Sequence, residues 1–161
     1  MDEFLRFLLR IWRTLPLWVH ILAARIVRPR YQVAVAAIIF DTDWRILLLR
    51  HTYRKFEWGL PAGGLESEED PETAVVREFR EETGLEIQVE KMLKAVSTRE
   101  YHHVSLIYLC SMVGGEFRPS LEVSEMRYFH TEQLPAMLSD EKELIRDVSK
   151  QLKADPIDEL A

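Results

Sequence analysis

The 161-residue chain has a single cysteine, Cys110, so it can form no disulfide within itself and must be held by packing. Cys110 lies in the apolar run Val104–Cys110, where a thiol is expected to be buried and inert; this fits a reducing compartment, and a cytoplasmic protein is expected. Long apolar runs are missing too. Arginines interrupt the hydrophobic N-terminal stretch well before the roughly 18–20 residues that a spanning helix needs. A secretory leader is not expected either, because acidic residues come first and no small-residue cleavage site follows. Nor is there an excess of positive charge: the net charge of −6 argues against a surface that tracks long nucleic acid. Internal repeats and low-complexity segments are absent, and with 47% hydrophobic residues the chain has enough apolar material to fill a core.

What is present is unevenly distributed. Residues 1–30 carry Arg6, Arg10, Arg13, Arg25, Arg28 and Arg30 against Asp2 and Glu3, a net +4, which leaves −10 on residues 31–161. An acidic body of that kind would need metal cations as intermediaries to bind phosphates. In the N-terminal segment, Arg6, Arg10 and Arg13 fall on one helical stripe and Phe4, Leu8, Ile11, Trp12 and Leu15 on another. Pro16 suits the start of a second helix capped near Thr14 and closed by Pro29. The expected organisation is a helical extension over residues 1–30 and one domain over 31–161.

From Tyr31 the pattern changes to the β-branched run YQVAVAAIIF, a turn at Asp41–Asp43 and a second run, WRILLLR, which together read as a hairpin. An irregular loop, WGLPAGGLE, follows. Asp70 as N-cap, Pro71 at the first helical position and Gly84 as C-cap predict a helix over 71–83. Strands are expected at about 86–97, 103–113 and 125–130, a turn at Gly114–Gly115, and an amphipathic helix over 140–153.

On the 71–83 helix, Val75, Val76, Phe79 and Thr83 form the core face, while Glu78, Glu81 and Glu82 stand at i, i+3 and i+4 on an adjoining one. Alone, such a cluster reads as a solvated face paired with Arg77 and Arg80. The glycine-containing loop upstream changes that reading, because its backbone can approach a ligand closely and several carboxylates plus a carbonyl suit a hard cation.

Gly63, Glu69 and the segment Arg77-Glu78-Phe79-Arg80-Glu81-Glu82-Thr83-Gly84-Leu85 match G-x5-E-x7-R-E-U-x-E-E-x-G-U, with U apolar, at all nine specified positions of twenty-three. This resembles the Nudix box, and the preceding Trp58-Gly59-Leu60-Pro61 is similar to the same family. The resemblance implies an α/β fold, an α/β/α sandwich around a central mixed sheet, and a Mg²⁺-dependent hydrolase, with Mn²⁺ as the alternative metal. Its substrate would be the phosphoanhydride of a nucleoside diphosphate linked to another moiety. It assigns Glu78, Glu81, Glu82 and the Ala62 backbone carbonyl to the metal, and places Glu69 and Arg77 behind them as a salt bridge that orients the glutamates. For the water-activating base, Glu78 and Glu122 both qualify, with Glu125 third, and Glu81 is a further catalytic candidate.

Substrate signals are sparser. Arg45, Arg50, His51, Arg54 and Lys55 precede the box and could meet phosphates, or form a solvated basic loop. Tyr101, His102 and His103 could stack on a base or edge a strand, and a tyrosine at this spacing is similar to the dinucleoside polyphosphate hydrolases. No proline matches the ADP-ribose subgroup, and the coenzyme A signature is absent. Trp44 and Trp58 read as packing residues. The expected partner is a small nucleotide; an RNA 5′ end and a non-catalytic nucleotide- or partner-binding module are the alternatives. Three readings stay open for residues 1–28: packing on the domain or in a homodimer, peripheral membrane contact through the arginines, or a start site set too far upstream.

Overall fold

Strand β1 (Gln32–Ile39) is the middle of the molecule, and its residues Val35 to Ile39 are all buried. The computed structural model describes residues 2–27, 31–98 and 102–154. The remaining elements are α1 (Asp2–Thr14), α2 (Leu17–Val27), β2 (Arg45–His51), β3 (Trp58–Gly59), β4 (Ala62–Gly64), α3 (Pro71–Thr83), β5 (Leu85–Thr98), β6 (His103–Gly115), β7 (Val123–His130) and α4 (Ser139–Ala154). They build a mixed four-stranded sheet, β4-β1-β6-β5, in which β1 and β6 run parallel, and an antiparallel sheet, β3-β2-β7. Alternate residues of β1 face opposite sides. Val35, Ala37 and Ile39 pack with Val75, Phe79 and Tyr108 under α3. Ala36 and Ile38 pack with Leu60, Ile145, Val148 and Leu152 under α4. This is the expected sandwich around a mixed sheet.

The expected β1–β2 hairpin does not form. Both edges of β1 are taken, by β4 and by β6, so β2 turns away into the other sheet with only a Phe40–Ile46 bridge left behind. The divergence is made at Asp41, whose Oδ1 accepts from the Asp43 and Arg45 amides while Trp44 takes a positive φ of 57°. Gly114 and Gly115 do not turn the chain but continue β6, pairing with Glu86 and Leu85.

Helix α3 ends where expected. Gly84 adopts φ 73°, and its amide donates to the Arg80 carbonyl at 2.8 Å. Its start differs in detail: the Asp70 side chain makes no cap bond, and the Asp70 carbonyl, accepting from the Ala74 amide, opens the helix before Pro71. Thr14 likewise does not cap α2, because its hydroxyl donates back to the Ile11 carbonyl of α1. Pro29 lies outside the described residues.

Candidate active site

The site is assembled by the loop that carries β3 and β4 lying against α3. Register sets it: Val35 pairs Gly63 and Ala36 pairs Ala62 along β1, which lays Gly63 against the Glu78 side chain. A Cβ on residue 63 would stand 2.0 Å from Glu78 Cδ, so only glycine lets the carboxylate sit there.

Arg77 is the hub. Its guanidinium clasps Glu69 through Nε–Oε1 at 2.8 Å and Nη2–Oε2 at 2.9 Å, a bidentate pair. It also donates to Glu78 Oε1 at 3.0 Å, to Glu81 Oε2 at 3.1 Å and to the Gly64 carbonyl at 3.1 Å. Glu69, through its hydrogen bond, is the main reason the Arg77 pKa is held well above its ordinary value, and the same bond holds the Glu69 carboxyl below its own.

The three box glutamates differ in setting. Glu81 is exposed and Glu78 half-buried, whereas Glu82 retains 6% of its surface and its Oε2 has no hydrogen-bond partner among the described residues. Burial pushes the Glu82 carboxyl up to about 8, Glu78 and Glu122 add to the rise, and Arg54 and the Ala62 amide oppose it. Glu122 lies in the bend before β7. Its backbone is tied to the end of β2, where the Thr52 amide donates to the Glu122 carbonyl at 2.9 Å. Glu125, by contrast, is engaged by Arg127 and lies 3.6 Å from Arg50.

Of the basic residues before the box, Arg54 alone lines the cavity described below. Arg45 pairs with Asp41 at 2.7 Å in the turn, Arg50 pairs with Glu57 at 2.7 Å, and neither lines the cavity. His51, expected in a basic loop, continues the inward face of β2 after Leu49 and is 1% exposed. Both its ring nitrogens lack partners among the described residues, and Nδ1 lies 3.8 Å from Glu82 Oε1. Burial first, then the Arg54 charge, pushes its pKa down to about 4, so the imidazole is neutral and the contact is not an ion pair. Glu141, at the start of α4, was not legible as a site residue from its place on a polar helix face. It approaches the same spot: a Cβ on Gly59 would meet Arg54 Nη1 at 2.9 Å, Glu141 Oε2 at 3.3 Å and His51 Cδ2 at 3.7 Å.

Beside the Gly63–Glu78 contact lies a cavity of about 670 Å³. Its walls are the start of β1 (Tyr31 to Ala34), the segment Ala62 to Leu65, Arg54 and His103. Tyr101 lies outside the described residues. Trp58 packs edge-on against Phe129 at 4.9 Å, and Trp44 leans on Phe40, so both are packing residues. Cys110 is buried and its thiol is pushed up to about 12 by burial, consistent with an inert core position.

The NUDIX domain profile matches residues 30–151. This chain belongs to the Nudix family. It is 34% identical over 121 residues to an ADP-ribose pyrophosphatase of Methanocaldococcus jannaschii, covering 71% of each chain. It is 30% identical over 112 residues to a MutT-like protein of Streptomyces ambofaciens, covering 70% of this chain and 72% of the relative. Among solved structures, an ADP-ribose pyrophosphatase from Streptococcus suis superposes with a TM-score of 0.63 at 25% identity, covering 74% of this chain and 92% of that one. The Nudix chain is therefore a hydrolase acting on pyrophosphate bonds.

Nudix hydrolases generally use divalent metal ions, and the donor set here can be tested for fit. Among the described residues no three acidic or imidazole groups converge into a ready cage, because Arg77 holds one oxygen each of Glu78 and Glu81. The set nonetheless suits a hard cation. Every donor is an oxygen, burial and then the Glu78 and Glu122 charges raise the Glu82 carboxyl, and Glu82 Oε2 is buried with no partner among the described residues.

Proposed function

We propose that this Nudix enzyme hydrolyses, with Mg²⁺ or in its place Mn²⁺, the diphosphate of a nucleoside diphosphate linked to a second moiety. The observation that carries this reading is the cavity of about 670 Å³ placed against the Gly63–Glu78 contact. Its volume suits one nucleotide-sized ligand. Tyr31 and His103 offer ring faces and hydrogen-bonding edges to a base, and Arg54 brings a cation to the diphosphate. The division into an extension through residue 30 and a hydrolase domain from residue 31 belongs to the same proposal, supported by a family match that begins at residue 30.

A divalent cation bound by Glu78, Glu81, Glu82 and the Ala62 carbonyl would neutralise the diphosphate and stabilise charge on the leaving oxygen. The chain's own residues do the rest. Arg77, clamped by Glu69, fixes the direction in which Glu78 and Glu81 present their oxygens. Glu122 is the carboxylate that takes the proton of the attacking water. Its side chain has no ion-pair partner among the described residues, whereas Glu78 and Glu125 each have an oxygen engaged by an arginine. Buried His51 stands 3.8 Å from Glu82 Oε1.

A panel of ADP-ribose, sugar nucleotides, dinucleoside polyphosphates, nucleoside triphosphates and triphosphorylated RNA 5′ ends, each with Mg²⁺ and with chelator, tests the reading. The expected result is mononucleotide release from the diphosphate-linked class, only with metal. Glu122→Gln is expected to lose at least about a hundredfold in kcat, within the range for a general base. Tight nucleotide binding without turnover would instead favour a binding module, and an intact rate in Glu122→Gln would move the base to Glu78.

A further inference from the structure

We propose that the α1–α2 hairpin is a docking surface for an anionic lipid bilayer, binding in the plane of the interface. The two helices meet at a corner held by His20, whose ring stacks on Trp12 at 4.6 Å and whose Nε2 lies 2.8 Å from the Trp12 carbonyl oxygen. Past that corner, apolar side chains face outward on both helices. Leu17 is 72% exposed, Trp18 66% and Ile26 75%, and Phe7, Leu9 and Leu22 are each at least half exposed. Among the described residues, neither helix contributes a side chain to the two core clusters of the body. Arg6, Arg10 and Arg13 are also exposed, on the α1 face away from Ile11 and Trp12.

Three candidates could cover such a surface. The body of a second copy is acidic and would attract the arginines, but its exposed large apolar residues, among them Trp44, Tyr53, Met92, Val113 and Leu121, come from separate strands and loops and form no stripe along any one element. A second hairpin would offer an apolar face but would set one net +4 segment against another. An anionic bilayer meets both requirements, apolar acyl chains for the leucines and indoles and phosphate headgroups for the arginines. No described helix is long and apolar enough to cross a membrane, so the contact is peripheral. Chain connectivity adds a consequence. Val27 ends α2 and Tyr31 lines the cavity, and four residues of chain span at most about 14 Å. A docked hairpin therefore holds the cavity mouth near the lipid surface.

Co-sedimentation of the full chain with vesicles of phosphatidylcholine alone, and of equimolar phosphatidylcholine and phosphatidylglycerol, is the test, run beside light scattering for mass. The protein is expected to pellet with the anionic vesicles, less at high salt, and to stay free of the neutral ones. Arg6→Glu/Arg10→Glu/Arg13→Glu should weaken binding at least about a hundredfold. Trp18→Ser/Leu22→Ser/Ile26→Ser should weaken it as well, and both variants should keep the wild-type hydrolytic rate on soluble substrate, which shows that they are folded. Equal pelleting with both vesicle types, no pelleting, or a dimer dissolved by the apolar substitutions would overturn the proposal. Because the readout is lipid binding, its failure is separate from any failure of the substrate assignment.

Discussion

Gly63 and Gly64 are neighbours that the structure separates. A methyl group at 63 collides with Glu78, whereas one at 64 meets nothing within 4 Å. Gly63→Ala should therefore displace the carboxylate by about an ångström, cost about a hundredfold in kcat and roughly 1–3 kcal/mol of stability, while Gly64→Ala stays near wild type in both. Steady-state rates and thermal melts of the pair check this, and equal effects would mean that the contact is not what the glycine is for. Glu82 gives a pH signature of the opposite sign to a salt-bridged acid. Its folded pKa, about 8, lies above the unfolded 4.5, so the folded metal-free chain binds the extra proton between those values. The Glu82 contribution to stability then falls as pH rises from about 4.5 to about 8, and it is constant outside that window. Glu82→Gln should flatten this slope in chemical-denaturation curves; a slope identical to wild type would show that the carboxyl is not buried as described. The same residues mark what could be read from sequence. The resemblance to the Nudix box brought Glu69, Arg77 and the glutamates together. It could not show that Glu82 is buried while Glu81 is exposed, because both sit on the face next to the core stripe and only the loop packed over one of them decides it.

Among the elements, α3 was the most legible because its signals are local: proline at the start, a core stripe of Val75, Phe79 and Thr83, and a glycine at the end. Its terminus can be tested directly. Gly84 at φ 73° has the Glu116 carbonyl 3.1 Å from where a Cβ would lie, so Gly84→Ala should cost about 1–2 kcal/mol and lower Tm by several degrees, measured by calorimetry. An unchanged Tm would mean that the left-handed cap is dispensable. Strand pairing was less legible, since it depends on partners far along the chain. Nothing in YQVAVAAIIF says that both of its edges will be claimed by β4 and β6, and the local turn chemistry at Asp41–Asp43 reads as a hairpin until they are. His51 and Glu141 are the same lesson in side chains: one is an ordinary inward position of β2, the other an ordinary acidic residue in the first turn of α4, and Gly59 is what lets them meet Arg54.

At the scale of the whole molecule, the charge division visible in the sequence becomes spatially meaningful. The box carboxylates lie on α3 against the β4 segment that lines the cavity, and the basic, apolar hairpin contributes no side chain to either core cluster among the described residues. Within the box, Arg77 engages one oxygen each of Glu78 and Glu81, whereas Glu82 and Glu122 have no arginine ion pair among the described residues. The central claim is that these carboxylates form a cation site serving hydrolysis. Turnover of a diphosphate-linked nucleotide measured across a Mg²⁺ titration, for wild type and Glu82→Gln, tests it most directly. Wild type should be silent in chelator and recover with added Mg²⁺, and Glu82→Gln should require more metal and remain at least about tenfold slower at saturation. Full turnover in chelator, or a Glu82→Gln titration that overlays the wild type, would contradict it.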